Sequence, residues 1–265
     1  MRVSTSKALP ANLRKIVSYY IENLETCRRL QRQVNGIFSS DPILSDSVHS
    51  IRSRVKEPSH LGDKLERMAK EAKRKRRSFS VTAANLFKKV HDCVGFRLLH
   101  IRAQDFPAVN GRLGDLLPSL GHKIVEGPVA RVWDDESRQY YRALNIRTVK
   151  SETMYTSVHY VVESPRDAMR YEIQVRTLME EVWGEVDHSF NYPHKTPSVA
   201  CQEQILTLAR FVSGCNRLVE SIFKSRDESD DLRRNPGRTA VRATRKRAVS
   251  TRPTRRANKT KRPRS

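Results

Sequence analysis

Apolar residues recur at three- and four-residue steps in several parts of this sequence. One run near the N-terminus predicts a long amphipathic helix over residues 12–38, and another predicts a helix over residues 200–225. A shorter run with the same spacing predicts a packing helix over residues 103–121. Both ends of the central part of the chain are therefore expected to be helical.

A second pattern, in which β-branched and aromatic residues alternate with polar ones, marks the central part of the chain. It predicts strands over residues 94–99, 124–133, 139–149, 155–163 and 170–177. Helical and strand segments alternate, which predicts an α/β or α+β fold around one sheet. We expect the α+β class, with a mixed β-sheet flanked by helices and helical elements at both termini.

The last two predicted strands each carry chemistry on one face. Because side chains alternate between the faces of a strand, Glu172, Gln174 and Arg176 share one face of the second strand. Tyr155 and His159 share one face of the first. Adjacent strands with one apolar and one polar face are typical of the floor of a site, although a polar face of this kind is more often simply solvated.

The segment after these strands favours a site. Thr177 can cap a helix whose apolar residues fall at helical spacing, and this helix leads to His188, Tyr192 and Lys195. Such a cluster of polar side chains is denser than solubility requires. We therefore interpret residues 155–195 as the functional centre of the chain.

Four basic side chains surround a predicted turn at Pro58. Arg54 and Lys56 precede the proline in extended backbone, whereas Lys64 and Arg67 lie three residues apart on the helix expected after it. Converging cations of this kind form a cradle for a triphosphate. An exposed basic helix is the alternative interpretation.

A carboxylate and a guanidinium belong to the strand predicted over residues 94–99. Asp92 opens this strand and Arg97 projects from it. A carboxylate at the edge of a strand suits Mg²⁺, which prefers oxygen ligands and binds through one or two carboxylates together with phosphates. A simple role for Asp92 at the start of the strand is the alternative.

The charge of the chain is uneven. Its 265 residues include 51 Lys and Arg against 29 Asp and Glu, a net charge of +22, and residues 232–265 hold 14 of the basic residues and no acidic one. A basic body suits a phosphate-rich substrate, and a strongly basic tail suits RNA or another polyanion, with solubility as the alternative. Residues 226–265 also lack aromatic residues, and their composition predicts disorder.

Other features narrow the class of protein. The four cysteines lie far apart, without the spacing of a zinc site or a disulfide framework. No apolar run approaches the ~18 residues that span a bilayer. The N-terminal residues lack the apolar core of a signal peptide. We therefore expect a cytoplasmic protein that has no membrane partner.

Three motifs in the functional centre occur in a fixed order: Y-x-S-x-H, then E-I-Q-V-R-T, then W-x-x-V-D-H-S-x-N-Y. Their order and spacing resemble the synthetase domain of the RelA/SpoT-type alarmone synthetases, in particular its small single-domain members. The resemblance implies a nucleotidyltransferase-like catalytic core over residues 50–197 within a synthetase domain over residues 1–225, followed by the basic tail. It also implies that pyrophosphate is transferred from ATP to the 3′-hydroxyl of GDP or GTP, which makes (p)ppGpp and releases AMP.

The resemblance implies a role for each candidate residue. Asp92 and Glu172 would hold Mg²⁺, and Glu172 would also be the general base for the ribose hydroxyl. Arg97 would pack on the base of ATP, Tyr155 would stack on the acceptor base, and Glu181 would accept hydrogen bonds from guanine. The ATP-binding residues would be Arg54, Lys56, Lys64, Arg67 and Arg97. The acceptor-binding residues would be Tyr155, His159, Gln174, Arg176 and Glu181.

The sequence also departs from the family pattern. Met154 and Thr156 stand where the family has a glycine and an arginine around the tyrosine, and His60 stands where we expect a serine. The identity of the acceptor is therefore open. The alternatives are a toxin-type relative that pyrophosphorylates the 3′ end of tRNA, and a catalytically silent protein that binds RNA through its tail. A homo-oligomer is also compatible with the resemblance.

Overall fold

The computed structural model of the chain describes residues 9–192 and 195–234. The chain divides into two units, each with most of its residue contacts inside itself. The first unit ends at Val219 and the second begins at Glu220. The sheet and the candidate site both belong to the first unit.

Six strands form one sheet. They are β1 (Ser50–Val55), β2 (Val94–His100), β3 (Lys123–Val132), β4 (Arg147–Lys150), β5 (Ser157–Glu163) and β6 (Arg170–Thr177). Their order across the sheet is β1-β2-β6-β5-β3-β4. Strand β6 runs parallel to β2 and antiparallel to β5, and β4 runs parallel to β3. The sheet is therefore mixed, as predicted.

Helices flank the sheet and occupy both ends of the described chain, which confirms the α+β prediction. In the described residues they are α1 (Ala11–Glu22), α2 (Leu24–Ser40), α3 (Pro42–Ser47), α4 (Pro58–Arg74), α5 (Leu86–Lys89), α6 (Phe106–Ser119), α7 (Asp135–Ala143), α8 (Leu178–Asn191) and α9 (Val199–Arg234). Short 3₁₀ turns lie at Ala83–Asn85, His91–Cys93 and Ala103–Asp105. No helix within residues 9–192 and 195–234 combines the length and the apolar character needed to cross a membrane.

The core lies on one face of the sheet. Phe38 of α2 meets Phe96 of β2 edge to face at 5.7 Å between ring centroids, and Phe96 meets Tyr171 of β6 in the same way at 5.5 Å. All three rings are fully buried. Because side chains alternate along each strand, the apolar burial of these residues turns Arg97 and Glu172 toward the opposite face.

The N-terminal helical region differs from the prediction. In place of one helix over residues 12–38, α1 ends at Glu22 and α2 begins at Leu24. The intervening Asn23 has φ −102° and ψ 9°, and its Nδ2 donates to the carbonyl of Tyr19 at 2.8 Å. An asparagine side chain that bonds to nearby backbone competes with helical hydrogen bonding, which accounts for the break.

The strand predicted over residues 139–149 is also different. Residues 139–143 belong to α7, and a turn then leads to the short β4, which begins at Arg147. Asp134 caps α7, because its carboxylate accepts from the backbone N–H of Ser137 at 2.8 Å. A capping aspartate followed by two acidic residues in the first turn stabilises a helix, and this local signal outweighs the strand-forming residues that follow.

The C-terminal helix is longer than expected. Helix α9 ends at Arg234 and not near residue 225, so residues 226–234, which were expected to be disordered, are helical. Two arginines in its last turn complement the negative end of the helix dipole. The rest of the predicted basic tail, residues 235–265, lies outside the described residues.

Candidate active site

The polar face of the sheet opens into two adjoining cavities. The first, of about 260 Å³, is lined by residues that include Arg52, Arg97, Glu172, Gln174 and Glu185. The second, of about 390 Å³, is lined by residues that include Lys56, His60, Lys64, Arg67, His188 and Tyr192. Arg54 and Asp92 line both cavities, so the two form one continuous polar region.

The second cavity has the composition of a phosphate cradle. The structure brings the four predicted cations together there, and two of them meet the carboxylate of Asp92. Lys56 Nζ lies 3.0 Å from Asp92 Oδ2, and Lys64 Nζ lies 2.7 Å from Oδ1. Burial by itself raises the pKa of Asp92, but the ammonium groups of Lys64 and Lys56 outweigh it and lower the pKa below its ordinary value. Asp92 is therefore an ionised carboxylate held by cations.

The carboxylate of Glu172 faces the first cavity with different partners. His159 Nδ1 lies 2.8 Å from Glu172 Oε1, and Gln174 Nε2 donates to Oε2 at 2.9 Å. Burial raises the pKa of Glu172, but the hydrogen bond and the charge of His159, followed by the hydrogen bond from Gln174, bring it below its ordinary value. Tyr155 precedes β5 and does not belong to it, yet its hydroxyl donates to Gln174 Oε1 at 3.0 Å.

Glu181 has a different surrounding from the one predicted. In place of an open position facing guanine, its carboxylate lies between Arg97, which donates to Oε1 at 2.8 Å, and Arg176, which donates to Oε2. Only 3% of Glu181 is exposed. Arg97 also pairs with Glu185, one turn further along α8. The packing of α8 against β2 and β6 therefore turns Glu181 inward, where the partly exposed Arg97 and the buried Arg176 each take one of its oxygens.

Aromatic rings form one wall of the cradle. The rings of His188 and Tyr192 are stacked with centroids 4.4 Å apart, and His60 meets Tyr192 edge to face at 5.4 Å. The guanidinium of Arg67 lies over Tyr192, 4.9 Å from the ring centroid. Burial, followed by the charge of Arg54, lowers the pKa of His188. His60 thus occupies the cradle itself, at the position where a serine was expected.

Residues 53–197 match the family model described as the region found in RelA / SpoT proteins. The chain belongs to the RelA/SpoT family. The matched residues include β1 to β6 apart from the start of β1, and all the candidate site residues. Membership supports (p)ppGpp synthesis by a pyrophosphokinase at the level of the family.

Solved structures share the fold of this RelA/SpoT protein. A GTP pyrophosphokinase family protein from Streptococcus pneumoniae has a TM-score of 0.53 and 19% identity, over 84% of this chain and 98% of that one. Small alarmone synthetase 1 from Bacillus subtilis has a TM-score of 0.50 and 21% identity, over 82% and 97%. The protein smu.1046c from Streptococcus mutans has a TM-score of 0.50 and 20% identity, over 82% and 98%. No curated protein sequence matches the chain.

The donor set of this RelA/SpoT site suits a divalent metal that also binds substrate phosphates. Asp92 and Glu172 line the same cavity, and the lowered pKa of each keeps it ionised. Within the described residues no group of three or more His, Cys, Asp or Glu side chains could hold a metal ion. Mg²⁺ commonly binds through one or two carboxylates together with phosphates, so this pair fits it once a nucleotide supplies the remaining oxygens.

Three residues of the site were not predicted. Arg52 and Glu185 line the first cavity, and Gly184 lets Arg176 approach α8, because a Cβ at that position would lie 2.8 Å from Arg176 Nη1. One signal was available. Glu181 and Glu185 are four residues apart on a predicted helix and share one face, which indicates a common basic partner.

Proposed function

We propose that this RelA/SpoT protein transfers pyrophosphate from ATP to the 3′-hydroxyl of GDP or GTP, forming (p)ppGpp and releasing AMP. The observation that carries the proposal is the shared cavity of Asp92 and Glu172, which continues into a cradle of four cations. The names of the structural neighbours, a GTP pyrophosphokinase family protein and a small alarmone synthetase, agree with it.

The cradle binds the triphosphate of ATP. In the transition state negative charge spreads over the phosphoryl oxygens, and cations placed in advance stabilise it without reorganisation. Arg54, Lys56, Lys64 and Arg67 provide such cations. Lys64 is the more exposed of the two lysines on Asp92, so it is the one that most readily turns from the carboxylate to a phosphate.

Asp92 and Glu172 would hold Mg²⁺ together with the phosphates. When bound, the ion neutralises charge that develops on the phosphoryl oxygens. The binding of Asp92 to this ion requires that its two lysines give up part of their contact with it, and incoming phosphates offer those lysines new partners.

Glu172 accepts the proton of the ribose 3′-hydroxyl. The oxygen then forms a bond to the β-phosphorus of ATP, the bond from that phosphorus to the oxygen bridging it to the α-phosphate breaks, and AMP leaves with that oxygen. Tyr155 offers an aromatic face to the acceptor base. Arg97 lines the first cavity, where the plane of its guanidinium would pack on the adenine.

The assignment is tested with the purified full chain, Mg²⁺ and ATP labelled at the γ-phosphate, with GDP or GTP as acceptor. We expect a labelled guanosine tetra- or pentaphosphate. Glu172→Gln keeps the shape and removes the base, so turnover should fall about 10²–10⁴-fold. Turnover near the wild-type value in that variant would reject Glu172 as the base.

A second candidate acceptor is the 3′ end of tRNA. Beyond Arg67, the end of α4 and the turn after it expose the basic residues Lys73, Arg74, Lys75, Arg76 and Arg77. This surface extends from the cradle and suits a long polyanion better than it suits a mononucleotide. Label transferred to tRNA, but not to tRNA whose 3′ end has been oxidised with periodate, would support this acceptor.

A silent RNA-binding protein is the remaining alternative. Removal of residues 235–265 leaves α9 complete and takes away most of the basic tail. If the truncated chain loses RNA binding and neither form transfers label to GDP, GTP or tRNA, the RNA-binding alternative replaces the enzyme proposal.

A further inference from the structure

A chain of hydrogen bonds runs across the floor of the site. Tyr155 Oη donates to Gln174 Oε1 at 3.0 Å, Gln174 Nε2 donates to Glu172 Oε2 at 2.9 Å, and His159 Nδ1 lies 2.8 Å from Glu172 Oε1. The register of the sheet makes this possible. His159 of β5 lies opposite Gln174 of β6, and Glu172 is two residues away on the same face.

The tyrosine hydroxyl fixes which end of the amide meets the carboxylate. A glutamine amide has one end that only accepts and one end that only donates. Burial raises the pKa of Tyr155, so its hydroxyl keeps a proton to donate. Because that proton goes to Oε1, the donating Nε2 faces Glu172. In the reversed orientation, two oxygens would face each other across that contact.

His159 acts on the site through Glu172. Glu172 and Gln174 line the first cavity, whereas neither His159 nor Tyr155 is among the described residues that line either cavity. Its Nε2 is buried and has no hydrogen-bond partner within the described part of the chain. His159 therefore contacts the site through its bond to the carboxylate of Glu172 and through the ring of Tyr155, which it meets edge to face with centroids 5.8 Å apart.

We propose that Tyr155, Gln174 and His159 are positioning residues that hold both oxygens of Glu172, and that Tyr155 thereby joins acceptor binding to the orientation of the base. The inference rests on the proposed function in assigning Glu172 as the base. A carboxylate with both oxygens engaged is confined to one orientation, with its remaining lone pairs directed to the cavity. The ring of Tyr155 and its hydroxyl then have separate tasks, one toward the acceptor and one toward Glu172.

Because the ring and the hydroxyl of Tyr155 have separate tasks, their removal should affect the acceptor KM and kcat differently. Tyr155→Phe keeps the ring and removes the hydroxyl, so the KM for the acceptor should stay near the wild-type value while kcat falls. Small misplacements of a catalytic group reduce rates by about 10²-fold, so we expect a loss of kcat of about 10- to 100-fold. Tyr155→Ala should also raise the acceptor KM.

A measurement without substrate tests the hydrogen bonds directly. The full chain is labelled with ¹³C at the glutamate carboxyl carbons, and the titration of Glu172 is followed by NMR. The signal of Glu172 is the one that is missing from the spectrum of Glu172→Gln. Hydrogen bonds donated to a carboxylate lower its pKa. We therefore expect Gln174→Met and His159→Ala to raise the pKa of Glu172, and Tyr155→Phe to raise it by a smaller amount.

Two controls separate positioning from general loss of structure. His159→Asn replaces Nδ1 by an amide nitrogen and should restore much of the pKa and of kcat. Tyr160→Phe removes a tyrosine hydroxyl that donates to Asn110 Oδ1 at 2.7 Å from the other face of β5, and should leave the pKa of Glu172 unchanged.

An unchanged Glu172 pKa in Tyr155→Phe and Gln174→Met would overturn the proposal, and so would a raised acceptor KM with normal kcat in Tyr155→Phe. Absence of label transfer by the wild-type chain would instead overturn the proposed function. The titration of Glu172 is carried out without substrate, so its result does not depend on that activity.

Discussion

Two carboxylates face the same cavity and are held in different ways. Asp92 is paired with two ammonium groups, of which Lys56 is almost fully buried and Lys64 is 30% exposed. Glu172 is held by an imidazole and an amide, both fixed on neighbouring strands. Each arrangement lowers the pKa of its carboxylate, one through two ammonium groups and the other through an imidazole and a neutral amide.

The difference matches two chemical tasks. A lysine is a flexible point charge that can exchange one anion for another. In the proposed reaction, Lys64, the more exposed partner of Asp92, would therefore turn to a phosphate of ATP. The amide of Gln174 is fixed in its orientation by Tyr155, so the partners of Glu172 keep it in place. In the proposed reaction, the donor side, with Asp92, therefore exchanges a partner, whereas the acceptor side, with Glu172, keeps its partners.

The largest expected effect comes from removing each charge in turn. Asp92→Asn and Glu172→Gln should both reduce turnover, the latter by about 10²–10⁴-fold. Only Asp92→Asn leaves the buried ammonium of Lys56 without its anion, so it should also lower the melting temperature more than Glu172→Gln does. Equal changes in melting temperature would show that the two carboxylates are held equivalently.

A third carboxylate, Glu181, extends the comparison to a buried ion pair. Glu181→Gln leaves Arg176, which is 2% exposed, without its counter-ion. Breaking a buried ion pair costs about 3–5 kcal/mol, and we expect the free energy of unfolding in denaturant to fall by that amount. The matched control is Glu185→Gln. Glu185 is half-exposed and pairs with Arg97, which is also a partner of Glu181, and its replacement should cost less than about 1 kcal/mol.

Much of this site could be predicted from the sequence because its residues follow local rules. Glu172 was placed by the alternation of β6, and Lys64 and Arg67 by helical spacing after Pro58. Asp92 was placed by its position at the start of the strand predicted over residues 94–99, and it lies in the 3₁₀ turn His91–Cys93 just before β2. The fold class followed from the same patterns. The short α7 was missed, since its signal was a single capping aspartate against a run of strand-forming residues.

The partners of these residues could not be predicted in the same way. The contact of Glu181 with Arg97 joins residues 84 positions apart, and it depends on how α8 packs on the sheet. The bond from Tyr155 to Gln174 depends on the course of the backbone just before β5. Periodicity predicts which face of an element a side chain occupies, but it does not specify what lies opposite that face.

A fourth carboxylate, Glu180, shows the effect of burial without a cation in contact. Burial raises the pKa of Glu180 to about 7, against the hydrogen bonds from Thr177. Its folded-state pKa lies above the unfolded one, so the contribution of Glu180 to stability is fully present below pH ~4.5 and is lost as the pH rises through about 7. The pH dependence of the contribution from Asp92 has the opposite sign, because its folded-state pKa is lowered. This contribution to stability is present above the unfolded pKa of Asp92 and is lost as the pH falls through the lowered folded value.

Glu180→Gln keeps an oxygen for the N-terminal cap of α8 and removes the titration. We expect wild type and variant to have similar stability near pH 4.5, and the variant to be more stable at pH 8 by up to about 3 kcal/mol. Denaturant unfolding at several pH values measures this. A wild-type stability that rises between pH 5 and 7 relative to the variant would contradict the assignment.

The smallest effect on stability is expected for Lys64→Met, which tests whether the cations on Asp92 are exchangeable. Asp92 keeps its buried partner Lys56, so the free energy of unfolding should fall by about 1 kcal/mol or less. The KM for ATP should nevertheless rise by about tenfold or more, because a charge-assisted bond to phosphate is worth about 1.5–3 kcal/mol. Lys70→Met, which breaks an exposed pair with Glu66 on the same helix, is the matched control and should change neither quantity measurably. If Lys64→Met reduces stability as much as Asp92→Asn does, Lys64 is a fixed structural partner of Asp92, and the contrast between an exchanging donor side and a fixed acceptor side does not hold.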